Sequence, residues 1–292
     1  MKYPYFPGCT LYTKAKKLDD AARECSRRLG FELEELLDWT CCGATFPLVK
    51  DQHITLAAPT RILADTKDRG GDKLVALCSV CFNVLKRTNH VMRTDEERRR
   101  KVTDFIEREY HGETEILHYL QILRDEIGFG RLKETIQKPL SGLKVACFYG
   151  CLLLRPVKEI GLDTMESPTV FEDFVRALGA EAVDFPYKIE CCGAFQTVHS
   201  MDVATRCSRD ILNSARKSGA DVVITTCPLC QFNLDDRQTE IVKGEPNFGT
   251  IPVVYFTQLL ALALGMQPAE LGFERNLIDP LPVLREKGVV TG

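Results

Sequence analysis

Short apolar runs alternate along this chain with segments whose apolar residues recur every three or four positions. Residues 2–6 and 144–149 are runs of the first kind. So are 73–77 and 221–226, which are aliphatic or β-branched and stop at Cys78 and Cys227. Each has the length of a buried strand. Leu18, Ala22, Cys25 and Leu29 fall on one face at helical spacing, which predicts a helix over 15–29. Residues 53–68 and 200–217 also read as helices, closing on "RGGD" and "SGAD", where a glycine stops the helix before the next strand. The highly charged stretch 93–110 is helix-compatible and reads as a solvated face. Strands alternating with helices predict an α/β fold with largely parallel sheets.

The alternation is duplicated. "YFPGCTL" matches "CFYGCLL", aligning Cys9 with Cys151, and "CCGATF" at Cys41 matches "CCGAFQ" at Cys191. "LVALCSVCFNVL" matches "VVITTCPLCQFNL", which aligns Cys78 and Cys81 with Cys227 and Cys230. "EILHYLQIL" matches "PVVYFTQLL", aligning Gln121 with Gln258. Four words in one order signify an internal repeat. The Gly and Pro punctuation of 128–142 marks the connection, so the expected domains are 1–140 and 141–292, the second carrying a C-terminal tail.

Composition narrows the possibilities. A chain of 292 residues with 45% apolar content can fill two cores. A net charge of −3 offers no general basic surface for nucleic acid or an anionic membrane. The longest apolar run, near "IPVVYFTQLLALALG", is too short to span a bilayer, and no secretory signal opens the chain, so a reducing cytoplasm is expected. There the 13 cysteines are not a disulfide framework, and their number points to metal binding or redox chemistry.

Ten of those cysteines form two sets in one order: Cys9, Cys41, Cys42, Cys78 and Cys81, then Cys151, Cys191, Cys192, Cys227 and Cys230. Cys9, Cys78 and their counterparts fall where a strand ends and a helix begins, the edge that borders the ligand crevice of an open α/β sheet. A Cys-x-x-Cys pair alone fits structural zinc, but a zinc ion is satisfied by four ligands and has no use for a fifth thiol. A thioredoxin-like pair leaves the Cys-Cys doublets unexplained. An iron–sulfur cluster accepts thiolates at several irons and is the reading that uses all five, although the ferredoxin spacing Cys-x-x-Cys-x-x-Cys is absent. Cys25, Cys147 and Cys207 lie outside the repeat and read as apolar filler. The five histidines recur at no equivalent position, and structural roles are expected for them.

A lone Cys, a Cys-Cys-Gly word and a Cys-x-x-Cys, present twice from Phe6 to about Leu264, resemble the CCG-domain family, most closely the B-type subunit of heterodisulfide reductases. The resemblance implies two duplicated CCG domains with Rossmann-like, largely parallel sheets. It implies two noncubane [4Fe-4S] clusters, one held by each cysteine set, and a small-molecule disulfide, such as the coenzyme M–coenzyme B heterodisulfide, reduced to two thiols between them. It also implies partners: an iron–sulfur subunit of the C type, fed by a flavin-containing subunit of the A type. The chain has neither a ferredoxin motif nor a GxGxxG fingerprint, which fits dependence on such partners. The alternative is an electron-transfer subunit of another anaerobic oxidoreductase complex, with no substrate of its own. The lone cysteine and the doublet are separated by 31 residues in the first set and 39 in the second, so the loops around the two sites must differ.

Overall fold

The structure is a computed structural model that describes residues 1–44 and 53–290. It contains two four-stranded sheets, each all parallel and each wound in the same order. In the first, β1 (Lys2–Phe6), β2 (Glu32–Glu35), β3 (Lys73–Ala76) and β4 (Glu115–His118) lie in the order β2-β1-β3-β4. In the second, β5 (Lys144–Cys147), β6 (Glu181–Val183), β7 (Val222–Thr225) and β8 (Val253–Tyr255) lie in the order β6-β5-β7-β8. The duplicated α/β reading is therefore correct, and the strands over 2–6, 73–77 and 221–226 fall where the apolar runs place them.

Pro4 would interrupt most central strands, since it brings no N–H to the ladder. Here β1 pairs with β3 only at Tyr5↔Val75 and Phe6↔Ala76, beyond the proline. β7, with Val222 to Thr225 all buried, is the fully enclosed strand its apolar run implies. Gly70 and Gly219 adopt φ of 76° and 86°, so "RGGD" and "SGAD" end their helices through the left-handed region that glycine enters without strain. The charged stretch forms the helix Glu96–Ile106, started by Asp95, whose carboxylate accepts from the Arg98 amide at 2.9 Å.

The strand order decides where chemistry can sit. β1 is followed by β2 on one side, while β3 lies on the other, so the connections leaving β1 and β3 diverge and open a crevice at their carboxyl ends. β5 and β7 repeat the arrangement in the second sheet.

The halves share one continuous core. The helix Lys16–Arg28 of the first half packs on the helix Phe256–Ala263 of the second, with Thr257 donating its hydroxyl to the Leu18 carbonyl at 3.1 Å. Tyr119 and Phe256 occupy equivalent repeat positions, and their rings meet edge-on at 6.0 Å. Equivalent positions touch each other at a two-fold axis. The connection over 128–142 is packed, not loose: its helix Phe129–Thr135 is followed by Gln137 and Lys138, whose amides both donate to the Ala263 carbonyl at 2.9 Å. After the last sheet strand the tail returns to the first half, where Asn276 accepts from the Lys17 ammonium at 2.6 Å.

Gln121 and Gln258 have a physical reason to recur. Each sits three residues past the end of its strand and accepts from a strand-end amide, of His118 at 2.9 Å and of Tyr255 at 2.8 Å, closing a capping box on the following helix. His118 is buried, its Nε2 bonded to the Leu77 carbonyl at 2.9 Å and its Nδ1 accepting from Leu120, and burial pushes its pKa down to about 4. It is a neutral structural histidine. His90, His111 and His199 are exposed, and the His53 side chain lies outside the described residues.

Candidate metal and redox site

Glycine geometry brings the first set together. Gly8, between β1 and Cys9, has φ of 73°, and a Cβ placed on it would stand 2.8 Å from the Cys81 sulfur. Gly150 repeats this ahead of Cys151, with φ of 66° and 3.2 Å to the Cys230 sulfur. Only a residue without a side chain lets the chain leave β1 or β5 so close to the Cys-x-x-Cys turn. Cys78 and Cys227 are the residues just ahead of the helices Ser79–Thr94 and Pro228–Gly244, and Cys81 and Cys230 lie in the first turns.

The Cys-Cys-Gly word works through its glycine as well. Gly43 and Gly193 both have φ of 76°, which turns the following amides back onto the first cysteine of the doublet. The Gly193 amide donates to the Cys191 sulfur at 3.4 Å. Behind it, Asn233 donates to the Cys192 carbonyl at 3.0 Å and accepts from Thr197, clamping the turn.

All ten repeat cysteines come together as two sets. Cys42 and Cys81 sulfurs are 3.4 Å apart, as are those of Cys192 and Cys230, while Cys151 and Cys191 stand at 3.7 Å. The Cys9 thiol donates a hydrogen bond to the Cys41 sulfur, and the Cys81 thiol to that of Cys78, all four being free cysteines. Cys42, Cys78, Cys81, Cys192, Cys227 and Cys230 are buried, whereas Cys9, Cys41 and Cys191 are exposed.

The sulfurs divide by protonation. The Cys42 thiol donates to Cys41, and the Gly43 and Ala44 amides and the Cys9 thiol add to it, holding the Cys41 pKa down to about 5 against partial burial. The Cys151 thiol, helped by the Gly193 and Ala194 amides, holds Cys191 down to about 6. Cys78 is lowered by the Cys81 thiol, with the Val80 and Cys81 amides and the Thr10 hydroxyl assisting. The donors are pushed the other way: Cys42 by Cys41, Cys81 by Cys42, Cys151 by Cys191 and Cys230 by Cys192. Neither set can become fully thiolate on its own amides. A cationic group that displaces the remaining protons would complete it.

The sets are neighbours across the junction of the halves. Ser79, next to Cys78, shares a hydrogen bond with Thr226, next to Cys227. A slit of about 20 Å³ runs between Ser79 and Val80 on one side and Cys151, Cys191, Cys192 and Cys227 on the other. Tyr255 is buried within the electrostatic reach of both Cys78 and Cys227, and burial with these sulfurs raises its pKa well above the phenol range.

Cys25 and Cys147 are fully buried, as their apolar positions imply. Cys207 is only half-buried, and its sulfur lies 3.5 Å from where a Gly193 Cβ would stand, so it packs behind the second Cys-Cys-Gly turn. Its helical stripe with Val203 and Ile211 gave no sign of that neighbour.

Comparison with known proteins agrees with this geometry. The CCG family of cysteine-rich domains matches residues 3–86 and again 145–235, more than half of the chain. The chain is 35% identical to the 8-methylmenaquinol:fumarate reductase membrane anchor subunit of Wolinella succinogenes, covering 95% of this chain and 97% of that one. It is 32% identical to the B-type subunit of the ferredoxin:CoB-CoM heterodisulfide reductase of Methanosarcina mazei, with coverage of 97% and 96%. It is 33% identical to a protein of Archaeoglobus profundus that is itself described as like the B-type subunit of heterodisulfide reductase, covering 92% of each chain. A hypothetical protein from Helicobacter pylori shares the fold, with a TM-score of 0.75 at 14% identity over 94% of this chain and 51% of its own.

Proposed function

We propose, from the premise that this chain belongs to the cysteine-rich CCG domain family and is an oxidoreductase subunit similar to the B-type subunit of heterodisulfide reductase, that its two halves form a paired iron–sulfur site for cleaving a disulfide. The proposed domains are residues 1–140 and 141–292. Cys9, Cys41, Cys42, Cys78 and Cys81 would hold one noncubane [4Fe-4S] cluster, and Cys151, Cys191, Cys192, Cys227 and Cys230 the other.

The donor chemistry supports this. Each set offers five soft sulfur donors with no imidazole or carboxylate among them, one more than a four-coordinate ion uses. Amides aimed at Cys41, Cys78 and Cys191 are the kind of contact that tunes sulfur ligands of a cluster. When bound, two such groups would supply the two electrons that opening an S–S bond needs, with two protons completing two thiols. The protein's part is to hold both sets at one junction, with Ser79 bonded to Thr226.

Those electrons must come from outside the chain. A subunit of the C type passing electrons from a flavin-containing subunit of the A type is the proposed source, consistent with relatives that are themselves subunits. The coenzyme M–coenzyme B heterodisulfide is a candidate substrate because the Methanosarcina relative is named for it.

A second reading, an electron-transfer subunit without its own substrate, is favoured by the likeness to the fumarate reductase subunit. That relative is named a membrane anchor, whereas no described helix here is long and apolar enough to cross a membrane. Anaerobic purification with iron and sulfide analysis, then paramagnetic resonance with and without added disulfide, separates the readings. Disulfide cleavage predicts iron in both sets and a spectrum that changes when disulfide is added. An iron-loaded protein whose spectrum ignores every disulfide offered would leave the relay.

A further inference from the structure

Resting on the reading of the repeat cysteines as cluster ligands, we infer that Asn83 is a positioning residue for the second site: from the first half, its carboxamide fixes the turn that carries Cys151. The second cysteine set is then completed by the other half of the molecule, whereas the turn that carries Cys9 is closed from within its own half.

Asn83 lies two residues beyond Cys81 on the helix Ser79–Thr94 and is completely buried. Its Nδ2 donates to the Leu152 carbonyl at 2.8 Å and to the Arg155 carbonyl at 2.6 Å. Carbonyl oxygens can only accept, so the carboxamide must turn its nitrogen towards them. Leu152 directly follows Cys151, and Arg155 closes the same turn by donating its backbone amide to the Cys151 carbonyl at 3.2 Å. A single NH2 group therefore grips both ends of the turn on which the Cys151 sulfur is carried. The short helix beyond the turn, Val157–Ile160, packs on the helix Ser79–Thr94 as well.

The repeat is broken at this position. Cys9, the counterpart of Cys151, opens the helical turn Cys9–Tyr12, in which the Thr13 hydroxyl donates to the Cys9 carbonyl at 3.1 Å. That turn is tied by its own residue. Two places beyond Cys230, where the counterpart of Asn83 belongs, stands Phe232, which is 45% exposed and has no donor to offer the Cys9 turn.

Packing alone does not account for an amide at position 83. Its neighbours Phe82, Val84 and Leu85 are buried apolar side chains, and the Asn83 Oδ1 is buried with no hydrogen-bond partner among the described residues. A buried acceptor without a donor is destabilising, and a leucine of similar size would avoid it. What the amide supplies and leucine cannot is the pair of bonds to the Cys151 turn. The first turn of the same helix supports the rest of the second set: Ser79 and Val80 line the slit beside Cys151, Cys191 and Cys192, and Ser79 is bonded to Thr226 next to Cys227. The helix that brings Cys81 to one site thus braces the other, as the outer contacts of a metal ligand do.

The experiment places Asn83→Leu in two single-site backgrounds, Cys41→Ala, which should keep only the second cluster, and Cys192→Ala, which should keep only the first. With the second cluster alone, Asn83→Leu should change its paramagnetic resonance signal and weaken its retention of iron against a chelator on the order of 10-fold. With the first cluster alone, signal and iron should stay as they are, although Asn83 is only two residues from Cys81. A residue that merely supports its own helix would disturb the first cluster foremost. Disturbance of the first cluster, of both equally or of neither would overturn the inference.

Hydrogen exchange on the full chain judges the clamp without reference to iron. Amide exchange over residues 151–155 should quicken in Asn83→Leu, while exchange over 9–13 keeps its rate. If that contrast appears in a chain that holds no iron, the cluster reading falls and the clamp stands. Iron at both sites with unchanged exchange over 151–155 would remove the clamp and leave the cluster reading. If Asn83→Leu does not fold, Asn83→Asp takes its place, keeping the shape but setting an acceptor against the two carbonyls. The same selectivity for the second site is expected of it, and its absence refutes the inference.

Discussion

Cys41→Ala and Cys192→Ala should each lose the iron of their own half and all turnover, whereas Cys25→Ala should keep both. Cys41 is the exposed sulfur on which the Cys42 thiol, the Gly43 and Ala44 amides and the Cys9 thiol converge. Alanine there removes the acceptor that organises the first set. Cys192 is buried against Cys230 at 3.4 Å, and its backbone carbonyl is held by Asn233, so alanine keeps the turn but deletes a sulfur of the proposed cluster site. Cys25 is equally buried, yet its sulfur donates to the Thr257 carbonyl at 3.8 Å, and burial pushes its thiol up rather than towards thiolate. Iron analysis of the three variants checks this contrast. Full iron in Cys41→Ala would remove that residue from the assignment.

A glycine substitution should act almost as strongly without touching a cysteine. Gly8→Ala forces a Cβ onto backbone of φ 73° and ψ 167°, a conformation essentially only glycine adopts, at a cost on the order of 1–3 kcal/mol, and places it 2.8 Å from the Cys81 sulfur. Gly30→Ala also strains the backbone, with φ of 84°, but nothing lies within 4 Å of its Cβ. Both variants should lose unfolding free energy, Gly8→Ala the more because of its contact with Cys81, and Gly8→Ala alone should also lose iron from the first site. Iron retained by Gly8→Ala, or lost equally by Gly30→Ala, would separate that glycine from the metal chemistry.

The cysteine sets were legible in the sequence because a duplicated spacing survives whatever the loops between do, and because apolar runs ending at Cys78 and Cys227 locate the carboxyl edge of a sheet. The edge strand β2 was not. Its sequence, Glu-Leu-Glu-Glu, has one buried residue and reads as polar, which is what an edge strand tolerates and a run of apolar residues cannot reveal. Gln121 and Gln258 were visible as a repeated pair, but their capping role needs the strand-end amides of His118 and Tyr255 in place. Lys17 and Asn276 share no local motif. They meet only because the tail folds back over the first half, a contact spanning 259 positions between Lys17 and Asn276. Cys207 was read as filler because helical periodicity describes its own helix and says nothing of the Gly193 turn packed against it.

The central claim is that both sites are required for one reaction, and the direct measurement is to compare Cys9→Ala with Cys151→Ala for iron content, reduction of the remaining cluster and disulfide cleavage. Each variant should keep about half of the iron, with the surviving cluster still reducible, and neither should cleave the disulfide, since opening the bond takes two electrons and makes two thiols. Near-normal cleavage by either variant, with its own cluster shown to be missing, would contradict the account.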